Sequence, residues 1–371
     1  MRILFIGEIV GSAGIYCVKA LLPDLKRELG IDLTIAAAEG ATGGFGIGKG
    51  HAVYLHKLGV DVITAGDFAY FKRDAVTYFG QSRYLLRPAN YPYGNPGRGW
   101  LVARPRPGNP RSGKGGHRAG KSAPAAAAAQ PAPAAREPAP ADPGPATATE
   151  EAVSRAPKPA APRASEASAA SEAPAAPGGS GTPAAAAKSS SPGVGIISLL
   201  GQAGFNRVHL RNPFEMAGGL IERVKQQTPL VLVDFHATTS SEKVAMSLFL
   251  DGKVSALIGT HVRTLSADAR LLPGGTAAIT HSGRTGSLNS VGGLDPEVET
   301  RKFLTQVHEQ SRDAWGLLEL QAVVLEVGAD GAARSISTLR RQTTAPEAAR
   351  KAADAARNRG PGRTRRASGR R

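Results

Sequence analysis

Five acids and histidines sit where apolar runs stop. Glu8 follows RILFIG, Glu39 ends LTIAAAE, Asp67 ends DVITAGD, His236 ends LVLVDFH and His261 ends VSALIGTH. Carboxylates and imidazoles in this mixture suit Zn, Mn or Fe, which accept shells of mixed oxygen and nitrogen donors. A metal held this way activates water and neutralises charge on phosphoryl oxygens. Singly, each residue has a plainer reading as a structural histidine or an ion-paired or capping acid. Together, at the same end of one sheet, the five form one candidate metal site.

The apolar runs must position them. Continuous Ile/Leu/Val/Ala stretches read as strands buried on both faces, as in a parallel sheet covered by helices. An acid at the carboxyl end of such a strand lies in the crevice where open α/β sheets do chemistry. Periodicity predicts helices over 14–29, 51–58, 71–79, 213–225, 241–250 and 295–311. Further strands are expected over 100–103, 194–200 and 276–280, with a closing hairpin of 316–327 and 333–339 across Gly-Ala-Asp-Gly. Alternating strands and helices place the chain in the α/β class.

Composition divides the 371 residues unevenly. Residues 104–193 are dominated by Ala, Pro, Ser and Gly and carry no aromatic residue. Such a segment cannot bury enough apolar surface to offset ordering entropy, so a disordered insert is expected there. The expected organisation is a folded domain in two parts, 1–103 and 194–340, with a basic disordered tail over 341–371. Charge follows the same division. The insert has eleven Lys/Arg against six Asp/Glu and residues 340–371 have eleven against two, leaving about +2 of the net +16 for the folded part. The basic pI is therefore no sign of a nucleic-acid-binding face on the domain, although the tail could contact RNA or DNA non-specifically by charge. With Cys17 as its one cysteine the chain forms no internal disulfide. No apolar stretch reaches membrane-spanning length and the first residues show no signal-peptide pattern, so a cytoplasmic location is expected. Gly43-x-x-x-x-Gly48-Lys49 imitates a P-loop, but Gly50 stands where Ser or Thr would hold Mg²⁺.

In order along the chain, MRILFIGEIVG, AEGATGGFGI, VDVITAGDF, LLRPANYPYGNPGRG, VDFHATTSSEKVA, DGKVSALIGTH, ADARLLPGGTAAIT and SVGGLDPE resemble the YmdB-type family of bacterial calcineurin-like metallophosphoesterases. The resemblance covers nearly all of the folded part and leaves out the insert and tail. It implies a metallophosphoesterase αββα sandwich, interrupted here by the insert. It also implies a two-metal site hydrolysing phosphodiesters such as 2′,3′-cyclic nucleotides, and a homo-oligomer.

Against that family pattern four motifs depart. The first strand's Asp is Glu8, and Asn-Gly-Glu-Asn is Ala37-Ala38-Glu39-Gly40. Gly-Asn-His is Gly66-Asp67-Phe68, so Phe68 occupies the general-acid position. Thr-His-Thr-His is Thr260-His261-Val262-Arg263, so a ligand becomes Arg263, which can pair with Glu8 or contact phosphate. The resemblance implies metal ligation by Glu8, Glu39, Asp67, His236 and His261. The expected cofactor is one divalent ion, Fe, Mn or Zn, in place of two, with no ion as the alternative. The expected function is attenuated metal-dependent phosphodiester hydrolysis; the rival is a catalytically inactive binding or regulatory module. His281, where typical members have Asp, is a further candidate acid or ligand.

Overall fold

The computed structural model describes residues 1–105, 193–205 and 210–358. Its elements are β1 (Arg2–Ile6), β2 (Glu8–Ile9), α1 (Gly11–Leu29), β3 (Leu33–Ala37), α2 (Lys49–Lys57), β4 (Val62–Thr64), α3 (Arg73–Gln81), β5 (Leu85–Leu86) and β6 (Trp100–Ala103). They continue with β7 (Val194–Leu200), α4 (Pro213–Lys225), β8 (Val231–His236), α5 (Ser240–Phe249), β9 (Ala256–Thr260), β10 (Arg270–Leu271), β11 (Ala277–Ile279) and β12 (Arg284–Ser287). The last are α6 (Pro296–Thr305), β13 (Leu318–Val327), β14 (Ala333–Thr343) and α7 (Glu347–Asn358).

Two sheets carry the strands. One runs β2-β12-β13-β1-β3-β4-β5, with β14 on the other edge of β13; the second runs β10-β11-β9-β8-β7-β6. Within the first, β1, β3, β4 and β5 are parallel, and within the second so are β7, β8, β9 and β11. Alternation along each strand divides the core into layers. Ile3 and Phe5 of β1 join Leu232 of β8 and Ile258 of β9 between the sheets. Leu4 and Ile6 face the other way, with Val18 and Leu22 of α1. Val231, Val233 and Phe235 pack with Ala217, Ile221 and Val224 of α4 and Met246 of α5. These faces make a helix–sheet–sheet–helix sandwich. Truncating a ring at its centre, as in Phe5→Ala, should cost about 3–5 kcal/mol.

Three expectations need correction. The five strand-end residues do not share one sheet: Glu8, Glu39 and Asp67 belong to or follow strands of the first, His236 and His261 those of the second. The helix expected to reach residue 311 ends at Thr305, because Gln306 turns left-handed at φ 58° and closes it. Where a structureless tail was expected from residue 341, β14 continues to Thr343 and α7 follows. β13 accounts for the first of these, pairing Arg341 with Leu320 and Thr343 with Leu318. Residues 106–192, most of the expected insert, and 359–371 lie outside the described residues. Ala103 pairs with Val194, so the intervening chain leaves and re-enters at the open end of an antiparallel pair, where an insertion disturbs packing least. Among the described residues no helix is long and apolar enough to cross a membrane.

Candidate metal centre

The carboxyl ends of β4, β8 and β9 bring three ligand atoms together. His236 Nε2 lies 3.2 Å from Asp67 Oδ1 and 3.1 Å from His261 Nδ1, and His261 Nδ1 lies 3.9 Å from Asp67 Oδ1. All three fall within 4.8 Å of one another, a spacing that could hold a metal ion. His236 is almost wholly buried, at 2% exposure.

Neighbouring residues fix these side chains. His236 Nδ1 is 3.1 Å from Thr260 Oγ1, whose hydroxyl donates to Asp234 Oδ1 at 2.7 Å. A hydroxyl committed to Asp234 accepts from the ring, so Nδ1 carries the hydrogen and Nε2 turns its lone pair toward Asp67 and His261. Asp234 lies two residues before His236 on β8 and therefore on the same face; Thr260 is opposite His236 in the β8–β9 register. Gly66 is required by the same ring, since a Cβ there would lie 2.3 Å from His236 Nε2. His261 adopts a left-handed φ of 84°, uncommon for a residue with a Cβ and of the kind that gathers at functional sites. Phe205 stacks on His236 at 6.0 Å and meets His261 edge-on at 5.2 Å.

The donor set fits a cation. Lone pairs of a carboxylate and two imidazoles converge, and without a metal a proton must sit among them. Burial works against charge on His236, but the hydrogen bond to Asp67 and the nearby Glu39 carboxylate hold its pKa above the ordinary value. Burial and then the neighbouring His236 push His261 down to about 3. Burial also opposes charge on Asp67, which its hydrogen bond with His236 nevertheless keeps below the usual carboxylate range.

Glu39 and Glu8 are engaged elsewhere. Glu39 accepts the backbone N–H of Gly66 at 2.5 Å and that of Phe68, so it shapes the turn presenting Asp67. Burial raises its pKa to about 7, against the opposing charge of His236. Glu8 Oε1 accepts from Arg263 Nε at 2.8 Å and pairs with Nη2 at 2.8 Å. The same guanidinium donates to the carbonyl oxygens of Gly292 and Gly44 at 2.9 and 2.6 Å. Arg263 therefore ties Glu8 to two loops, with Nε, Nη1 and Nη2 each donating within the chain. Gly40 leaves it room, because a Cβ at 40 would lie 2.8 Å from Nη2.

Phe68 packs between Phe45 and Phe71, with ring centroids 5.5 and 5.4 Å away. His281 is outside the metal cluster, between Ser240 Oγ at 2.8 Å and Lys243 Nζ at 2.9 Å. In the P-loop-like stretch, Lys49 opens α2 and donates its backbone N–H to Asp74. Asp234, Thr260 and Phe205 are site residues that sequence reasoning passed over. The i, i+2 relation of Asp234 to His236 was available as a signal; nothing around Phe205 offered one.

An αββα sandwich with a mixed Asp/His cluster at its strand ends defines a metallophosphoesterase. The chain belongs to the YmdB-like protein family, whose model matches residues 4–110 and 170–339. It is 27% identical over 327 residues to the 2′,3′-cyclic-nucleotide 2′-phosphodiesterase of Bacillus subtilis (strain 168), covering 88% of this chain and 91% of that protein. Among solved structures it is similar to a hypothetical protein from Thermus thermophilus, with TM-score 0.65, 25% identity and coverage of 93% and 100% of the two chains. A novel phosphatase from Mycoplasma pneumoniae shares the fold, with TM-score 0.66, 24% identity and coverage of 94% and 96%.

Proposed function

We propose that the chain is a metal-dependent phosphodiesterase of attenuated activity, acting on phosphodiesters of the 2′,3′-cyclic-nucleotide kind. One divalent ion, Fe, Mn or Zn, is held by Asp67, His236 and His261 with Glu39 beside them, and Arg263 stands in for a second. The observation that carries this reading is the convergence of Asp67 Oδ1, His236 Nε2 and His261 Nδ1 on one point.

When bound, such an ion supplies a Lewis acid for a phosphoryl oxygen and lowers the pKa of a water. The chain's own residues do the rest. Asp234 and Thr260 hold the proton on Nδ1 of His236, leaving Nε2 able to ligate. Glu39 fixes the turn at Gly66 and Phe68 that aims Asp67. Arg263 neutralises Glu8, with most of its donors already engaged. Phe68 has no proton to give a leaving oxygen, and loss of a general acid typically costs about 10²–10⁴ in rate.

A second reading, a binding or regulatory module without hydrolysis, is favoured by the Arg263–Glu8 pair and by Phe68. Hydrolysis of 2′,3′-cyclic AMP and of bis(p-nitrophenyl) phosphate by metal-loaded protein separates the two. The second substrate leaves without needing a proton, so the phosphodiesterase reading expects it to be cleaved much faster. Phe68→His should then raise cyclic-nucleotide turnover, by up to about 10²–10⁴. Cleavage of neither substrate by metal-loaded protein would favour the module.

A further inference from the structure

A groove away from the metal cluster collects positive charge with no anion among the described residues to meet it. It lies along the edge strand β6, between Gly80 of α3 and Gln227 beyond α4, as an open concavity of about 720 Å³. Its lining includes Arg83, Arg98, Arg104 and Trp100. All three arginines are exposed and, among the described residues, none has an ion-pair partner. Elsewhere some arginines are paired, as Arg2 is with Glu326 and Arg301 with Glu309, and others, such as Arg73 and Arg223, have no ion pair among the described residues; the groove differs in gathering three of the second kind. Guanidinium groups gathered in one concavity repel each other, and a low-dielectric wall focuses their field outward. That arrangement is favourable once a polyanion fills it.

Trp100 decides which polyanion. Trp100 is half-buried, packs on one side against the core cluster of β7, β8 and α4, and lines the groove with the arginines, placed there by the pairing of Trp100 with Ile197. Arginines tracking a phosphate backbone beside an aromatic ring form the usual combination for single-stranded nucleic acid, with the base stacked on the ring. Guanidinium forks match phosphate oxygens in pairs. An acidic peptide would use the charges but has no flat ring of its own to lay on the exposed part of Trp100.

We propose that this groove binds a single strand of RNA or DNA, with phosphates on Arg83, Arg98 and Arg104 and a base on Trp100. The site is independent of the metal centre and does not require hydrolysis.

Trp100 and Trp315 are the two tryptophans, so Trp315→Phe leaves Trp100 as the fluorescent reporter. The full-length Trp315→Phe protein would be titrated with decauridylate, and with polyglutamate as a charge-matched control. Expected is salt-sensitive quenching of Trp100 by the oligonucleotide and none by polyglutamate. Arg83→Gln with Arg98→Gln should abolish most of it and flatten the slope of log K against log salt by about 1.4, two phosphate contacts at about 0.7 each. A Trp100→Phe change, followed by fluorescence anisotropy of labelled decauridylate, should retain most of the affinity that Trp100→Ala loses. Binding without Trp100 quenching would place the contact elsewhere on the chain and overturn the proposal. So would equal quenching by polyglutamate, which would make the groove an acidic-peptide site.

Discussion

At one corner of the centre, Asp67, His236 and His261 bring three lone pairs together around no built-in donor. At the other, Glu8 faces the guanidinium of Arg263. Both corners gather buried negative or electron-rich groups, and each needs a cation. The first leaves that cation to be recruited, with Gly66 clearing space for the His236 ring. The second carries it on the chain, with Gly40 clearing space for the guanidinium. A tethered cation cannot activate water or take phosphoryl oxygens into its coordination shell. The contrast therefore separates ligand-holding capacity from catalytic capacity within one site.

The sharpest way to break the comparison is to remove a ligand from the first corner. His236→Ala should abolish tight metal binding, measured by elemental analysis, and with it any phosphodiesterase activity. His261→Asn should weaken binding strongly while keeping the fold, because Asn tolerates the left-handed backbone at that position. Retained stoichiometric metal in His236→Ala would mean that the cluster is not the site.

The second corner should respond in stability. Arg263→Ala strands Glu8, which is 3% exposed, and should cost about 3–5 kcal/mol in denaturant unfolding. Gly40→Asn alone should destabilise by about 1–3 kcal/mol through crowding of Arg263. With Arg263→His also present, much of that loss should be recovered, a coupling that a double-mutant cycle measures directly.

Lys243 supplies a third test, because its amine acts electrostatically on both corners, on Glu8 and on His261. It is fully buried, and burial lowers its pKa from 10.5 to about 8 despite Asp234. The unfolded chain holds that proton more tightly, so this group's penalty is full below about pH 8 and disappears as pH rises toward 10.5. Lys243→Met should stabilise by up to about 3 kcal/mol at about pH 7, with the gain shrinking across that window. A gain independent of pH would assign the effect to packing.

Thr260→Val should have the smallest effect. It removes the hydroxyl between Asp234 and His236 and should weaken metal affinity about 10–100-fold, with little change in fold. Unchanged affinity would show that the ring needs no such support.

Much of this was legible in the sequence for a physical reason. Strands buried on both faces must be continuously apolar, so the runs ending near Ala37, Thr64, His236 and Thr260 announced themselves. The residues that follow are conspicuous because they interrupt such runs. What the runs could not show was which sheet each joined, since pairing partners are set by packing between distant segments. Nor could they show that Glu39 is tied to the N–H groups of Gly66 and Phe68; the pairing of Arg263 with Glu8 was open as one of two options, the other being a phosphate contact. Those contacts bring together loops far apart in sequence, and residue types alone leave them open. β12 escaped notice because RTGS is too short and polar to read as a strand. Most of it is buried nonetheless, by pairing with β2 and β13.

One corner recruits a metal and the other replaces it with a guanidinium. Metal content per chain, by elemental analysis after loading with Mn or Fe, tests this most directly when wild type is set beside the Gly40→Asn, Arg263→His double variant. About one tightly bound ion is expected in wild type and about two in the variant. Two ions in wild type, or none in either protein, would contradict it.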